Sequence, residues 1–475
     1  MSNFEIVIGL EVHVQLKTRS KIFCSCSTDF GSSPNSNICP VCCGYPGVLP
    51  VFNRKVLELS IRVCHALDCR INKKIYFERK NYFYPDLPKD YQISQYKMPL
   101  GENGNLELIS GRKIKINRAH MEEDAGKLIH KEDYSLVDFN RTGIPLLEIV
   151  SEPDIHTPQE AFDYLTRLKL LLQYINVSDC DMEKGYLRCD ANISLRKSGE
   201  SVLGTKVELK NMNTFKGIKS ALEFEAKRQE QLLLKNERIV QETRLWNEKI
   251  MKSEPMRSKE EAHDYRYFPE PDLLDFNVSN DMIENEKKFV TELPLEKRKR
   301  FLEKYKISFK EVDLLVANQR LSDFFEEAID FYAKPKEISN WIIGPLLEQA
   351  NNFVDKFNSV KISAENFAKI VKYFTEGRIN NLAAKRALSL CISTNEDADT
   401  IINQEGLIQV SAGKELEDAV KQVVEEHSKP VKEYLEGKQQ AIMFLVGQVM
   451  KKTKGRANPK IAKEMLTKEI SKKEL

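Results

Sequence analysis

From position 6 the chain alternates. Ile6, Ile8, Leu10, Val12, Val14 and Leu16 take one side of a two-residue period, and Glu11, His13 and Gln15 share the other. The pattern predicts a strand over 5–16. Similar runs predict strands over 73–78, 106–118, 134–139, 144–151, 186–196 and 203–210. The period turns helical after Thr157, where Thr157, Pro158 and Glu160 spell a capping box with proline at the first helical position. Phe162, Leu165, Leu168, Leu171 and Leu172 then recur at helical spacing. A second long helix is predicted over about 214–235.

The texture changes near 293. Glycine and proline thin out, and successive amphipathic helices are predicted to about 403. A last region, 406–475, holds two or three short helices. The order predicts an α+β chain: a mixed α/β cradle-like body over 1–292, a helical domain over 293–405 and a small all-α tail domain over 406–475. A chain of 475 residues is too long for one core, in keeping with several domains.

Charge narrows the partners little. There are 73 basic and 71 acidic residues, so no global positive field announces nucleic acid, although a local patch is allowed. The end supplies one: 451–475 carries nine Lys or Arg against three Glu. The start has no basic, apolar leader and runs straight into a strand, and the apolar run 441–446 is far too short to cross a bilayer. The expected location is the cytoplasm, where ten clustered cysteines are not a disulfide framework.

Four of those cysteines are spaced as a metal site. Cys24 and Cys26 form one close pair, Cys39 and Cys42 another, and the loop between is polar and has no core of its own. A structural zinc would order it. An iron–sulfur cluster, or four unliganded thiols, are the other readings.

Acidic residues collect in apolar strands. Glu11 and His13 point the same way from the first strand, and a buried charge needs a partner. His120, Glu122, Glu123 and Asp124 crowd one stretch; if it is extended, His120, Glu122 and Asp124 share a face and Glu123 takes the other. Glu148 sits in an apolar strand, with Glu152 just after it. Arg188, Asp190, Asn192, Ser194 and Arg196 line one face of another. Close like charges repel unless a cation joins them, so these strands suit one or more magnesium sites. Each alone also reads as a solvated strand face.

Segment 79–96 mixes Lys80, Tyr82, Phe83 and Tyr84 with prolines and aspartates, and 263–272 resembles it in composition, with Arg266 between tyrosines. Cations beside aromatic faces suit an adenine, a phosphate or an RNA end; the plainer reading is turns capping the core. Lys206, Glu208 and Lys210 share a strand face. There is no phosphate-binding Gly-rich loop ending in Gly-Lys-Ser/Thr, no kinase signature and no serine elbow.

Several of these segments together resemble one family. Gly9 to Gln15, Lys80 to Pro85, His120 to Lys127, Leu147 to Asp154, Leu187 to Arg196, Asp264 to Asp272, and Gly447 to Met450 followed by Gly455 to Pro459 are similar, in order, to the B subunit of bacterial aspartyl/glutamyl-tRNA amidotransferases. The resemblance covers essentially the whole chain. It implies an ATP-dependent enzyme that phosphorylates the side-chain carboxylate of misacylated Glu-tRNA(Gln), and often Asp-tRNA(Asn). Ammonia made from glutamine by an A subunit then displaces phosphate, and a small C subunit makes up a heterotrimer. It implies magnesium at Glu11, His13, Glu148 and one of Glu122 and Glu123, with Glu123 the expected catalytic one, although alternation leaves that pair open. Lys80, Tyr82, Lys210 and Arg266 become candidates for phosphates or the tRNA acceptor end, and Glu152, Asp190 and Asn192 for the wall or a second metal site. Lys451, Lys452, Lys454 and Arg456 become candidates for tRNA phosphates. Some members keep four cysteines for zinc, as this chain does. The rival readings are a tRNA-binding scaffold whose partner performs the activation, and a zinc-stabilised structural protein.

Overall fold

The computed structural model describes residues 3–256, 265–349, 357, 359–408, 414–453, 455 and 457–472. It divides into two compact units, Met1–Leu295 and Glu296–Leu475. The architecture is α+β, as the two periods predict.

The first unit is built on a nine-stranded sheet. Its central strand is Phe4–Gln15, flanked by Pro145–Ser151 and Leu187–Lys197. Beyond Pro145–Ser151 come Lys113–Glu123, Gly101–Glu107 and Arg70–Ile71. Beyond Leu187–Lys197 come Val207–Lys210, Thr243–Asn247 and Lys252–Pro255. All pairs are antiparallel except Val207–Lys210 with Thr243–Asn247. One edge strand has two residues and the other ends at a proline, both of which blunt further pairing.

Alternation fixes the register. Leu10, Val12, Val14, Leu147, Ile149, Cys189, Ala191, Ile193 and Leu209 are buried in one core with the helices Arg54–Ala66, Pro158–Tyr174 and Phe215–Leu234. Fully burying each large aliphatic side chain there contributes roughly 1.5–3 kcal/mol. The opposite sheet face is left to the polar residues. The helix Pro158–Tyr174 begins as the sequence predicts: Thr157 Oγ1 accepts from Glu160 N at 3.0 Å, and the Glu160 carboxylate accepts from Thr157 N at 3.2 Å.

Three strand expectations need correction. The run 106–118 is two strands, because a tight turn interrupts it: Leu108 N donates to the Arg112 carbonyl at 2.8 Å, and Gly111 takes a φ of 84°. Ser110-Gly111 was the turn signal inside the run. The run 73–78 divides into Lys74–Ile75 and Glu78–Asn81, and only Val207–Lys210 of 203–210 pairs. The two aromatic segments meet: Phe268 pairs with Arg79 and Pro269 with Glu78. Residues 263 and 264 of the second segment lie outside the described residues.

The second unit is helical. Side chains of Ser308, Asn318, Ser363, Asn380, Asp397 and Asn458 cap successive helices. Its last part has four helices among the described residues rather than two or three: Lys414–Glu426, Ser428–Leu435, Ala441–Lys452 and Pro459–Ser471. Gly437 and Gly455, both at positive φ, separate the last three. Leu416, Val420, Val423, Leu445, Val449, Leu466 and Ile470 form a core shared by these helices.

Candidate active site and four-cysteine cluster

The polar sheet face assembles its acidic residues by register. His13 is the Cα partner of Glu148, and Glu148 of His120, so the three stand in one row across three strands. Glu122, two residues on from His120, shares that face. His13 Nε2 lies 3.3 Å from Glu122 Oε1 and 3.6 Å from Glu148 Oε2. His120 Nε2 lies 3.0 Å from Glu148 Oε2. His13, Glu122 and Glu148 each offer a ligand atom, all within 4.8 Å of one another.

The electrostatics follow from burial and proximity. Burial opposes a charge on His13, but the Glu122 hydrogen bond and the Glu148 carboxylate outweigh it and push its pKa up to about 9. Burial raises Glu122 and Glu148, yet His13 and His120 prevail and hold both carboxyls below their usual range. Glu11 differs. Burial, then the charges of Glu148, Asp190 and Glu208, push its carboxyl up against a hydrogen bond that it accepts from Asn192 Nδ2 at 2.9 Å. Glu11 is thus the carboxylate on this face whose negative neighbours go unrelieved, and a cation beside it would relieve them. Two carboxylates and an imidazole fit a divalent ion; the oxygens suit magnesium, and the nitrogen suits manganese or zinc equally well.

The remaining candidates lie on the same sheet or in the two aromatic segments. Lys210 Nζ bridges Asp190 at 3.0 Å and Glu208 at 3.1 Å. Glu152 accepts from Asn117 at 2.7 Å, on the strand's far end. Lys80 Nζ lies over the rings of Tyr265 at 4.8 Å and Tyr82 at 5.9 Å. Burial opposes its charge, but Glu122 and the neighbouring tyrosines and Glu148 push its pKa up, so it remains an ammonium. Tyr96 stacks on Tyr267 at 4.4 Å, with Arg118 over Tyr96 at 5.5 Å. Arg266 follows Tyr265 at a φ of 43° and accepts at its carbonyl from Asn81.

Glu123 is not in the cluster. It points to the other face, where its Oε1 pairs with Lys89 Nζ and accepts from Ile93 N at 2.8 Å. The physical reason is strand alternation, which sends Glu122 and Glu123 to opposite sides. Glu11 lies on the cluster's face one row away, held by Asn192 rather than grouped with His13, Glu122 and Glu148.

Cys24, Cys26, Cys39 and Cys42 converge as a second group with ligand atoms within 4.8 Å. Lys21, fully buried, places its ammonium 3.6 Å from Cys42 Sγ and 3.3 Å from the Phe139 carbonyl. The Cys24 hydrogen bond, aided by the Cys39 amide and Lys21, outweighs burial and pulls the Cys42 thiol down to about 4. This group can hold a metal. A cavity of about 200 Å³ lies beside it, lined by Cys24, Cys42, Lys89 and Glu123 among others.

In the tail, Lys451 is exposed and Lys452 pairs with Glu426 at 2.7 Å. Lys454 and Arg456 lie outside the described residues.

Comparison with known proteins then fixes the lineage. A family model described as the GatB/GatE catalytic domain matches residues 6–284, more than half of the chain. The chain belongs to the family of the aspartyl/glutamyl-tRNA amidotransferase B subunit. A second model, described as the GatB domain, matches residues 323–470. The B subunit from Carboxydothermus hydrogenoformans is 48% identical over 480 residues, covering 99% of this chain and 100% of the relative. That from Clostridium beijerinckii is 49% identical over 476 residues, covering 99% of each. Membership makes this chain part of a tRNA-dependent amidotransferase, a ligase of translation.

Sequence reasoning missed the supporting cations of this family member. Arg188 pairs with Asp124 at 2.8 Å, and Lys89 with Glu123. Alternation places Arg188 on the polar face of its strand, but its register with His13 appears only in the fold. Nothing around Lys21 or Lys89 in sequence announces their burial.

Proposed function

We propose that this chain activates the side-chain carboxylate of misacylated Glu-tRNA(Gln), Asp-tRNA(Asn) or both, using ATP, and completes its amidation with ammonia from a glutaminase partner. The observation that carries this is the row His13, Glu148, His120 with Glu122 beside it, which brings two carboxylates and an imidazole within reach of one ion.

A carboxylate is a poor electrophile and must become an acyl phosphate before ammonia can attack. Phosphoryl transfer needs positioning and charge neutralisation more than covalent help. His13, Glu122 and Glu148 would hold a magnesium ion, with Glu11 beside them. Such an ion would supply charge neutralisation for phosphoryl transfer. Lys80 supplies a fixed positive charge next to Glu122 and Glu148, and its tyrosine surroundings limit water around it. Lys210, shared between Asp190 and Glu208, can turn to a phosphate without leaving a buried charge unpaired, because it is partly exposed. Tyr82 and Arg266 line the approach for an acceptor end, and Asn192, Asp190 and Glu152 complete the wall. Glu123 supports the strand from behind.

In this reading zinc fills the four-cysteine group and is structural. The domains run 1–292, 293–405 and 406–475, with the basic tail meeting tRNA phosphates. The partners are an A subunit, which is the glutaminase, with a small C subunit in a cytoplasmic heterotrimer.

The test is a reconstituted heterotrimer carrying Glu148→Gln. ATP-dependent phosphorylation and Glu-tRNA to Gln-tRNA conversion should fall at least about a hundredfold. Glutaminase activity and tRNA binding should persist. Survival of phosphorylation would move the chemistry to a partner and leave this chain a scaffold.

A further inference from the structure

His120 has no role in the mechanism above, yet its placement is specific. Its side chain is only 3% exposed, it stands in register with Glu148, and its Nε2 lies 3.0 Å from Glu148 Oε2 and 3.8 Å from Glu122 Oε2. Its other nitrogen, Nδ1, is buried with no hydrogen-bond partner among the described residues. A buried imidazole with one nitrogen unsatisfied is a poor stabiliser, and an apolar side chain would fill the place without that cost. What the imidazole provides is a directed donor to one carboxylate oxygen.

His13 approaches the same Glu148 oxygen, at 3.6 Å. If His13 Nε2 turns to a cation, its proton and its approach to Glu148 are both given up. His120 then remains as the donor on Oε2. Both histidine contacts to Glu148 fall on Oε2, and Oε1 is the oxygen that would be left for the ion.

We propose that His120 is the positioning residue of the cation site, fixing the rotamer of Glu148 through an Nε2–H donor. It is not a ligand. Ligating carboxylates need such outer partners, and their loss commonly weakens metal affinity about 10- to 100-fold. The proposal rests on the assignment of His13, Glu122 and Glu148 as ligands.

The test measures binding of manganese(II) alone to the heterotrimer by electron paramagnetic resonance. Variants are Glu148→Gln, His120→Leu, His120→Gln and His120→Asn, with thermal unfolding followed alongside. Glutamine can place its amide nitrogen where Nε2 stands; asparagine is too short. The expected result is loss of binding in Glu148→Gln and weakening of about tenfold in His120→Leu and His120→Asn. His120→Gln should stay within about threefold of the parent. If Glu148→Gln binds manganese normally, the ligand assignment fails and the proposal with it. If Glu148→Gln loses binding while the leucine and asparagine variants bind as the parent does, the site stands and His120 is structural only. Should His120→Leu fail to fold, the glutamine and asparagine pair decides: equal affinities overturn the proposal.

Discussion

His13 and Glu148 are register partners on adjacent antiparallel strands, with Nε2 3.6 Å from Oε2. That pairing depends on the apolar face behind it. A one-residue slip would set Leu147 against His13 and turn Val12 and Val14 to the polar side. The core that fixes the fold thus also fixes which carboxylates meet.

Glu122 and Glu123 should separate cleanly. Glu122→Gln removes a carboxylate from the cluster, while the amide oxygen can still accept from Ser94 and His13 keeps its approach to Glu148. Amidation should fall at least about a hundredfold with little change in melting temperature. Glu123→Gln strips the partner from Lys89, whose side chain is only 8% exposed, and should cost about 3 kcal/mol of stability. Turnover per folded molecule should be nearly unchanged. Melting curves and single-turnover amidation on both variants check this, and the reverse pattern would return the ligand role to Glu123.

Alternation made the sheet and its polar face legible. It put Glu11, His13, Asp190 and Asn192 on one side, and it set Glu122 with His120 rather than with Glu123. Strand order was not legible, because pairing of Phe4–Gln15 with Pro145–Ser151 and Leu187–Lys197 joins residues more than a hundred apart. The resemblance to the family was carried by whole segments, so it named Glu11 and Glu148 but left open which side chains touch. Buried lysines such as Lys21 were invisible, since their partners come from distant loops.

The four cysteines should hold about one zinc ion per chain. Metal analysis of the purified chain should find it, and Cys42→Ser should lose it. Hydrogen exchange over 26–39 should then speed up, because that stretch sends no side chain into the main core cluster. The sheet strands should keep their protection. A metal-free chain with an equally protected loop would reduce the four thiols to packing residues.

The second unit should be acid-sensitive at two carboxylates. Glu311 accepts from Lys336 at 2.7 Å and from Ser339 at 2.8 Å, and Glu326 takes a two-pronged pair from Arg300 and a bond from Tyr305 at 2.6 Å. Burial raises both, but these partners prevail and hold each at about 2. A depressed carboxylate stabilises the fold above its unfolded value, near 4.3, and that stability is lost as pH falls toward 2. With solvent screening, each contributes about 1–2 kcal/mol. Hydrogen exchange of peptides over 300–340 in the full chain should loosen between pH 4.5 and 2. Glu311→Gln and Glu326→Gln should flatten that dependence and lower stability at pH 7; an unchanged pH profile would mean the pairs carry no net stability.

The tail offers a test in which a substitution strengthens binding. Lys452 is already paired with Glu426 at 2.7 Å and also donates to Gln422 at 3.2 Å, whereas Lys451, Lys460 and Lys463 are exposed. A phosphate must compete with Glu426 for Lys452. Neutralising Lys451 and Lys460 together should weaken tRNA binding and reduce the salt slope by about 0.7–0.9 for each phosphate no longer neutralised. Neutralising Lys452 should also weaken binding, because it leaves Glu426 as an unpaired negative charge facing the phosphates. Glu426→Gln should release Lys452 and raise affinity about twofold to fivefold at low salt, with a steeper salt slope, since an exposed pair of this kind is worth under about 1 kcal/mol. Filter binding of charged tRNA across a salt series reads all of these. If the lysine variants and Glu426→Gln leave both affinity and slope where they were, tRNA phosphates meet another surface.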